Sequence, residues 1–251
     1  MKNPPTPQEA RISEMFSSLQ GEGTHLGERH LFIRFEECHI HCEYCDELDK
    51  PARTMTLDEV TRTVLQLEKE EGPHSFVSLT GGEPLLYLTF LTPLLLRLKA
   101  LRFRTYLETN GILWQALEEV IGWCDLIAMD LKPPSVTKER SFLKEHRRFL
   151  ELARTKEVFI KIVLSKEIDI QEFQSLIKLV QDVAPKAPVI LQPISPPKLT
   201  PGLLGHGREG ELEGHEDQEL MQLLAELQRL TNRMIANVRI MPRLHRILKI
   251  R

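Results

Sequence analysis

Short apolar runs alternate with longer amphipathic runs along the chain, and this alternation restricts the fold to the α/β class. Several of the short runs are rich in β-branched or aromatic residues, and six of them predict strands over residues 31–35, 76–79, 105–108, 126–131, 158–164 and 189–192. Six longer runs have apolar residues at three- and four-residue spacing and predict helices over residues 57–71, 87–101, 113–122, 138–154, 169–183 and 221–230. This order is typical of a parallel sheet with helical crossovers. Six repeats suit either an open doubly wound sheet or an incomplete barrel.

Length and charge exclude several classes of protein. A chain of 251 residues forms one large α/β domain or two small ones. Its formal charge of −3 gives no general attraction to nucleic acid or to an anionic membrane, and no run approaches the ~20 apolar residues of a transmembrane helix. The first ten residues are polar and hold three prolines, which is unlike a signal peptide. We therefore expect a cytoplasmic protein that binds neither nucleic acid nor membrane.

The segments that follow the predicted strands carry the residues suited to chemistry. Polar or glycine-bearing segments follow five of the six strands, at residues 38–45, 80–84, 109–111, 132–135 and 193–195. Catalytic groups of parallel α/β folds lie at the carboxyl ends of the strands. These five segments therefore indicate one site.

Three of the four cysteines lie in one of these segments, Cys38-His39-Ile40-His41-Cys42-Glu43-Tyr44-Cys45, with the spacing C-x3-C-x2-C. Three thiolates on one loop can hold three irons of a four-iron cluster, and the fourth iron is then open to a non-protein ligand. A structural zinc site is the alternative, with His39 or His41 as the fourth ligand. Cys124 is remote in sequence, and a chain without a secretory signal uses cysteine for metal binding or catalysis more often than for disulfides.

The other segments supply polar groups for a ligand. Gly81 and Gly82 lack a Cβ and allow the backbone to approach a ligand closely, and Glu83 can accept hydrogen bonds from an ammonium group. Arg34, four residues before Cys38, can grip a carboxylate if it faces the site, and a surface ion pair is the alternative. Four further polar residues, suited to a nucleoside, a ribose or a carboxylate, are Asn110, Asp130, Lys132 and Gln192.

These motifs resemble those of the radical S-adenosylmethionine (SAM) superfamily, whose fold is an incomplete β/α barrel of about six parallel strands. There, three cysteines bind a [4Fe–4S] cluster and the open iron chelates the amino and carboxylate groups of SAM. The further motifs are similar, in the same order, to those of the 7-carboxy-7-deazaguanine synthase family. They are Ser18-Leu19-Gln20-Gly21-Glu22-Gly23, Phe32-Ile33-Arg34-Phe35, Cys45-Asp46, Glu108-Thr109-Asn110-Gly111, Asp130-Leu131-Lys132-Pro133-Pro134-Ser135, Gln192-Pro193 and Leu244-His245-Arg246-Ile247-Leu248.

The resemblance implies three groups of contacts. The cluster ligands are Cys38, Cys42 and Cys45. The residues that hold SAM are Gly82, Glu83, Asp130, Lys132, Gln192 and Ser195. The substrate, 6-carboxy-5,6,7,8-tetrahydropterin, is held by Leu19, Gln20, Gly21, Arg34, Thr80 and the C-terminal segment with His245, and Arg34 meets its carboxylate.

The resemblance also implies a reaction and its partners. The reduced cluster cleaves SAM to a 5′-deoxyadenosyl radical, which takes hydrogen from the pterin carbon that bears the carboxylate. Rearrangement, hydrogen return and loss of ammonia give 7-carboxy-7-deazaguanine, an intermediate of queuosine and deazapurine biosynthesis. An electron donor such as flavodoxin or ferredoxin and a second copy of the chain are the implied partners. One radical SAM domain is expected over residues 1–251, with a substrate-contacting segment at 13–30 and a segment at 232–251 that closes the site.

One position departs from the family pattern. Family members commonly have a threonine two positions after the third cysteine, where its hydroxyl contacts a magnesium ion near the substrate, whereas this chain has Glu47. A carboxylate is also a hard oxygen ligand, so Glu47 is a candidate Mg²⁺ ligand. An exposed loop acid is the alternative.

Two other functions stay open. A glycyl-radical-enzyme activating enzyme of the same superfamily acts on a protein, and it shares the cysteine segment and residues 80–84 but has no need of residues 18–23 or His245. A non-catalytic iron–sulfur or zinc module leaves the segments at 80–84 and 109–111 without a role.

Overall fold

The computed structural model describes residues 9–45, 50–194 and 209–243, with the backbone alone at 209–217. The strands are β1 (Glu9–Leu19), β2 (Arg29–Phe35), β3 (Arg53–Thr56), β4 (Phe76–Gly81), β5 (Thr105–Thr109), β6 (Leu126–Leu131), β7 (Glu157–Leu164), β8 (Val189–Pro193) and β9 (Val238–Ile240). The helices are α1 (Leu57–Glu71), α2 (Leu88–Ala100), α3 (Trp114–Val120), α4 (Pro134–Thr137), α5 (Leu143–Ala153), α6 (Ile170–Val183) and α7 (Glu209–Thr231).

The strands of the described residues form one sheet in the order β3-β1-β2-β4-β5-β6-β7-β8-β9. The six predicted strands are β2 and β4 to β8, and each pairs in parallel with its neighbour in this series. Because β3 and β9 lie at opposite edges, the barrel is incomplete, and the predicted α/β class is confirmed. The sequence reading missed β1, β3 and β9. The first two pair antiparallel with their neighbours, and β9 extends the parallel series.

The helices cover the outer face of the sheet, and two of them differ from the prediction. The helix expected over residues 138–154 begins only at Leu143, because Lys138 has a φ of +62° and ends α4 in a left-handed conformation. The helix expected over residues 221–230 begins earlier, at Glu209. The start of α1 is as predicted, with a capping box between Thr56 and Glu59. Within the described ranges no helix is long and apolar enough to cross a bilayer.

The inner face of the sheet changes from apolar to polar along the strands. Residues two apart in a strand face the same side. At the amino ends the inner face carries an apolar cluster of Phe76, Tyr106, Leu126, Ala128, Phe159 and Ile190. Two or four positions later the same face carries Ser78 and Thr80 on β4, Glu108 on β5, Asp130 on β6, Lys161 on β7 and Gln192 on β8. The strands therefore enclose an apolar base and present polar side chains above it.

Candidate functional site

A cavity lies on this inner face, at the carboxyl ends of the strands. It is lined by Phe16, Leu19, Gln20, Gly21, Glu22, Phe32, Arg34, Cys38, Ile40, Cys42, Tyr44, Cys45, Thr80, Gly81, Gly82, Glu108, Thr109, Asn110, Asp130, Lys132, Lys161, Val163 and Arg243. The cysteine segment and the segments after β4, β5 and β6 therefore meet at one place, as the sequence predicts. Among the predicted site residues that the structure describes, Glu83 and Gln192 are not on the cavity surface.

The segment of residues 38–45, called the cluster loop below, is anchored on one side of the cavity. Ile40 and Cys42 pack against Ile112 and Phe142. The backbone N–H of residue 41 donates to Glu139 at 2.6 Å, and that of residue 43 donates to the carbonyl of residue 137 at 3.3 Å. Burial raises the pKa of the Cys38 and Cys42 thiols. A metal that takes these thiols as thiolates must therefore displace protons on binding.

The two glycines after β4 allow two backbone segments to touch. A Cβ on Gly82 would lie 2.0 Å from the carbonyl oxygen of Glu37, and Gly81 has a φ of +106°. The Gly82 N–H donates to the carbonyl of Phe35 at 2.9 Å, and the Glu83 N–H donates to that of Glu37 at 2.7 Å. The glycines thus fix the start of the cluster loop against β4, in addition to lining the cavity.

Glu83 is fully buried and joins two of the loops. Its carboxylate accepts hydrogen bonds from the N–H of Leu85 at 3.1 Å and of Asn110 at 2.8 Å, and from the Thr109 hydroxyl at 2.9 Å. Burial raises its pKa to about 7, although the three hydrogen bonds oppose this change. In this position Glu83 holds the loop after β5, and its direct contact with a ligand stays a prediction.

A buried histidine on α5 joins the loops after β5 and β6. His146 Nε2 accepts from the N–H of Lys132 at 3.2 Å, so Nδ1 carries the proton and donates to the carbonyl of Gly111 at 3.0 Å. Burial lowers the pKa of His146 to about 4, which keeps the ring neutral. The Lys132 side chain lies in the cavity, with Nζ 2.8 Å from Asp130 and 3.4 Å from the Tyr44 hydroxyl.

The segment after β1 forms another part of the cavity lining. Gln20 donates to one oxygen of Glu108 at 3.0 Å, and Thr80 donates to the other oxygen at 3.0 Å. Burial raises the pKa of Glu108, and Lys161 opposes this change. Leu19 and Gly21 line the cavity beside Gln20. Two of the predicted substrate residues, Gln20 and Thr80, thus hold the half-buried carboxyl group of Glu108, which was not among the predicted site residues.

Arg34 lines the cavity, as expected, and it also has an acidic neighbour. Its Nε lies 3.1 Å from Glu14, which in turn lies 3.3 Å from Lys50. A guanidinium has five N–H donors, so an ion pair through Nε is compatible with binding a second carboxylate. The arrangement holds the guanidinium beside the cavity.

Gln192 lies next to two charged residues of the cavity lining, Glu22 and Arg243. When its amide is oriented to satisfy both neighbours, the nitrogen donates to Glu22 at 3.2 Å and the oxygen accepts from Arg243 at 3.0 Å. Lys161 lies 2.7 Å from Glu22 and 3.3 Å from Asp130, and Arg243 lies 3.4 Å from Glu22. Gln192 therefore supports the charged residues and does not itself face the cavity.

Three of these charged residues, Glu22, Glu108 and Lys161, were not among the site residues predicted from the sequence. Two of them lie inside motifs that were recognised, Glu22 in residues 18–23 and Glu108 in residues 108–111. A signal for Lys161 was present, because a lysine inside the apolar run 158–164 is unusual for a buried strand. Arg243 lies just past the short strand β9, within the segment 232–251 that was expected to close the site, and it lines the cavity.

Comparison with known proteins identifies the family. The model of the radical SAM superfamily matches residues 32–180. A 7-carboxy-7-deazaguanine synthase from Geobacter sulfurreducens is 35% identical, over 95% of this chain and 97% of that protein. A 7-carboxy-7-deazaguanine synthase from Methanopyrus kandleri is 32% identical, over 97% of this chain and 94% of that protein. The chain belongs to the 7-carboxy-7-deazaguanine synthase family, a family of radical SAM enzymes.

Two solved structures share the fold. The crystal structure of QueE from Escherichia coli has a TM-score of 0.59 at 19% identity and covers 94% of this chain and 95% of that one. Streptococcus suis SuiB bound to S-adenosylmethionine has a TM-score of 0.55 at 18% identity, with 82% of this chain and 48% of that one covered. At these identities the likeness concerns the fold.

The family implies a [4Fe–4S] cluster and SAM, and the residues present fit both. The thiols of Cys38, Cys42 and Cys45 are free and line one cavity. Among the described side chains, no three His, Cys, Asp or Glu residues converge on a point that holds a single metal ion. A cluster takes one iron per thiolate, so its three ligands need no common point. Beside the loop, Asn110 and Lys132 offer donors to a polar cofactor.

Three predicted residues lie outside the described ranges. They are Glu47, the candidate magnesium ligand, Ser195, assigned to SAM, and His245, assigned to the substrate.

Proposed function

We propose that this protein converts 6-carboxy-5,6,7,8-tetrahydropterin to 7-carboxy-7-deazaguanine with loss of ammonia, in queuosine or deazapurine biosynthesis. The observation that carries the proposal is that one cavity is lined both by the three thiols and by Arg34, Gln20 and Glu108. A reaction that starts at a cluster-bound cofactor requires its substrate in the same space. Relatives that align with nearly the whole chain and bear this activity as their name support the choice.

The side of the cavity near the cluster loop is assigned to the cofactors. Cys38, Cys42 and Cys45 hold the cluster, which with SAM supplies a 5′-deoxyadenosyl radical. Gly82, Asp130 and Lys132 line the cavity beside the cluster loop, while Glu83 and Gln192 hold their neighbours from behind. We assign these residues, with Ser195, to SAM. Their work is orientation, since the difficult bond cleavage belongs to the cofactor.

The side formed by the segment after β1 is assigned to the pterin. Arg34 is the cation for its carboxylate, and Leu19, Gln20, Gly21 and Thr80 surround the ring together with Glu108. The N–H groups and carbonyl oxygens of a pterin need hydrogen-bond partners in a buried site. We propose that residues 13–30 contact the substrate and that residues 232–251, with His245, close the site of this single radical SAM domain and exclude water.

Several partners belong to the same proposal. Glu47 is proposed as a magnesium ligand near the substrate, because Mg²⁺ prefers oxygen ligands. A flavodoxin or ferredoxin is proposed as the electron donor, in the cytoplasm.

A two-fold homodimer is proposed, since closed two-fold assemblies are the commonest oligomers. Sedimentation that shows only monomer at micromolar concentration would remove the dimer without affecting the chemistry.

The proposal is tested with anaerobically reconstituted protein, SAM and a chemical reductant. We expect 5′-deoxyadenosine and a deazapurine carboxylate, by mass spectrometry, when 6-carboxy-5,6,7,8-tetrahydropterin is present. SAM cleavage that produces a glycyl radical on an added partner protein and leaves the pterin unchanged would assign the protein to the activating enzymes. Absence of SAM cleavage under all conditions would contradict catalysis of this type.

A further inference from the structure

Five charged side chains of alternating sign run across the cavity. In order they are Arg243, Glu22, Lys161, Asp130 and Lys132, and we call them the charged row. Neighbours in the row are separated by 3.4 Å, 2.7 Å, 3.3 Å and 2.8 Å. All five line the cavity, and each side chain retains 10–16% of its possible exposure. The row starts after β9 and ends after β6.

Lys161 occupies the centre of the row and is its one member that contacts both carboxylates. Lys161 on β7 and Asp130 on β6 are paired in the strand register, so their side chains leave the sheet on the same face. Glu22 approaches from the segment after β1, which is distant in sequence from both. A single ammonium thus joins the segment assigned to the pterin with the strand end assigned to SAM.

The charge state of the row depends on these pairs. Burial opposes ionisation of Glu22 and Asp130, yet the neighbouring cations lower the pKa of both carboxyls. Asp130 and Glu22 in turn raise the pKa of the buried Lys161 amine. An uncompensated buried charge is strongly unfavourable. Without Lys161, the remaining cation among the described side chains would be Arg243 for Glu22 and Lys132 for Asp130.

We propose that Lys161 is a positioning residue that holds the two halves of the site together through its charge. It fixes the Glu22 carboxylate at the pterin side and the Asp130 carboxylate, and through Asp130 the Lys132 ammonium, at the SAM side. Loss of the charge at residue 161 therefore weakens the binding of both ligands. The inference rests on the proposed function for the identity of the pterin, but not for the bridge itself.

The test compares Lys161→Met with Lys161→Arg in reconstituted protein. Methionine resembles lysine in shape but has no charge, whereas arginine keeps the charge but differs more in shape. We expect Lys161→Met to weaken SAM and carboxypterin each by about tenfold, equivalent to 1.4 kcal/mol, and Lys161→Arg to stay closer to wild type for both. Anaerobic calorimetric titration measures each ligand separately. Lys178→Met, which removes an exposed lysine paired with Asp182 on α6, is the matched control and should bind both ligands normally.

Other outcomes would overturn the bridge. Unchanged binding by Lys161→Met, or a loss confined to one ligand, contradicts it. Better binding by Lys161→Met than by Lys161→Arg shows that shape matters and charge does not. If Lys161→Met does not fold, the double variant Lys161→Met/Glu22→Gln, which removes one charge of each sign, should fold and still bind SAM weakly, and normal SAM binding by it refutes the proposal. If wild-type protein fails to bind the pterin, the proposed function fails while the SAM measurements still test Lys161.

Discussion

The contacts beside the cluster loop and those of the charged row are built from different interactions. Beside the cluster loop, close backbone packing and hydrogen bonds hold the loops. Gly82 packs against the backbone of Glu37, and the neutral His146 ring bonds to the backbones of Gly111 and Lys132. Along the charged row, which runs through the segment after β1 to Lys132 beside the cluster loop, ion pairs hold the side chains in place. Substitutions and changes of pH should therefore affect the two groups of contacts differently.

The largest effect is expected from a cluster ligand. Cys42→Ala removes one of three thiolates, so the protein should lose its brown colour and iron content, and SAM cleavage should fall by about a thousandfold or more, equivalent to about 4 kcal/mol. Absorption spectra and iron analysis measure the change. Cys124→Ala is the matched control, because Cys124 is buried away from the cavity with Sγ 3.6 Å from the Val120 carbonyl. Loss of the cluster in Cys124→Ala with retention in Cys42→Ala would reverse the assignment.

Substitutions of Arg34 test the part of the cavity that is assigned to the pterin carboxylate. Arg34→Ala should weaken the carboxypterin by about 2–5 kcal/mol, the usual cost of removing one partner of a buried charge pair, and Arg34→Lys should also bind poorly because it lacks the planar fork. SAM affinity should barely change. Glu14 keeps Lys50 as a partner, which limits damage to the fold.

Titration of both ligands against these variants gives an internal comparison. Equal losses for SAM and the pterin would indicate a folding defect. Undiminished pterin binding would mean that the carboxylate is held elsewhere, with the basic C-terminal segment around His245 as the next candidate.

The neutral contacts on the cluster side predict a pH dependence. His146 has its pKa lowered to about 4 by burial, against 6.5 in the unfolded chain. The unfolded state therefore binds the proton first as pH falls, and the contribution of His146 to stability, complete above pH 6.5, is lost between pH 6.5 and 4. At pH 5 the loss amounts to about 2 kcal/mol.

Chemical denaturation of wild type and His146→Gln at pH 7.5 and pH 5 measures this effect. The difference between the proteins is the informative quantity, because Glu83, with its pKa raised to about 7, titrates in the same range with the opposite sign. His146→Gln should lose less stability than wild type on acidification. The same loss in both would show that His146 does not titrate as the structure indicates.

The parts predicted from sequence are those in which one contiguous segment carries the information. The six parallel strands are apolar runs between amphipathic helices, and the cluster loop is a single motif. Strand β1 was missed because its alternation of polar and apolar residues breaks at a register shift between Ile12 and Glu14, and β3 and β9 have only four and three residues. The charged row was missed for a different reason. Its members come from separate strands and loops, and only the strand register and the loop after β1 bring Glu22, Lys161 and Asp130 together.

The central claim is that the cofactors held at the cluster loop and the residues assigned to the pterin act on one substrate molecule in this cavity. It is tested most directly with 6-carboxy-5,6,7,8-tetrahydropterin that carries deuterium on the carbon bearing the carboxylate. We predict that reconstituted protein transfers deuterium to the 5′-carbon of the deoxyadenosyl group, detected by mass spectrometry in 5′-deoxyadenosine or in re-formed SAM, and that Cys42→Ala gives no transfer. SAM cleavage with no deuterium in either molecule would contradict the account, because the pterin would then not be the molecule that meets the radical.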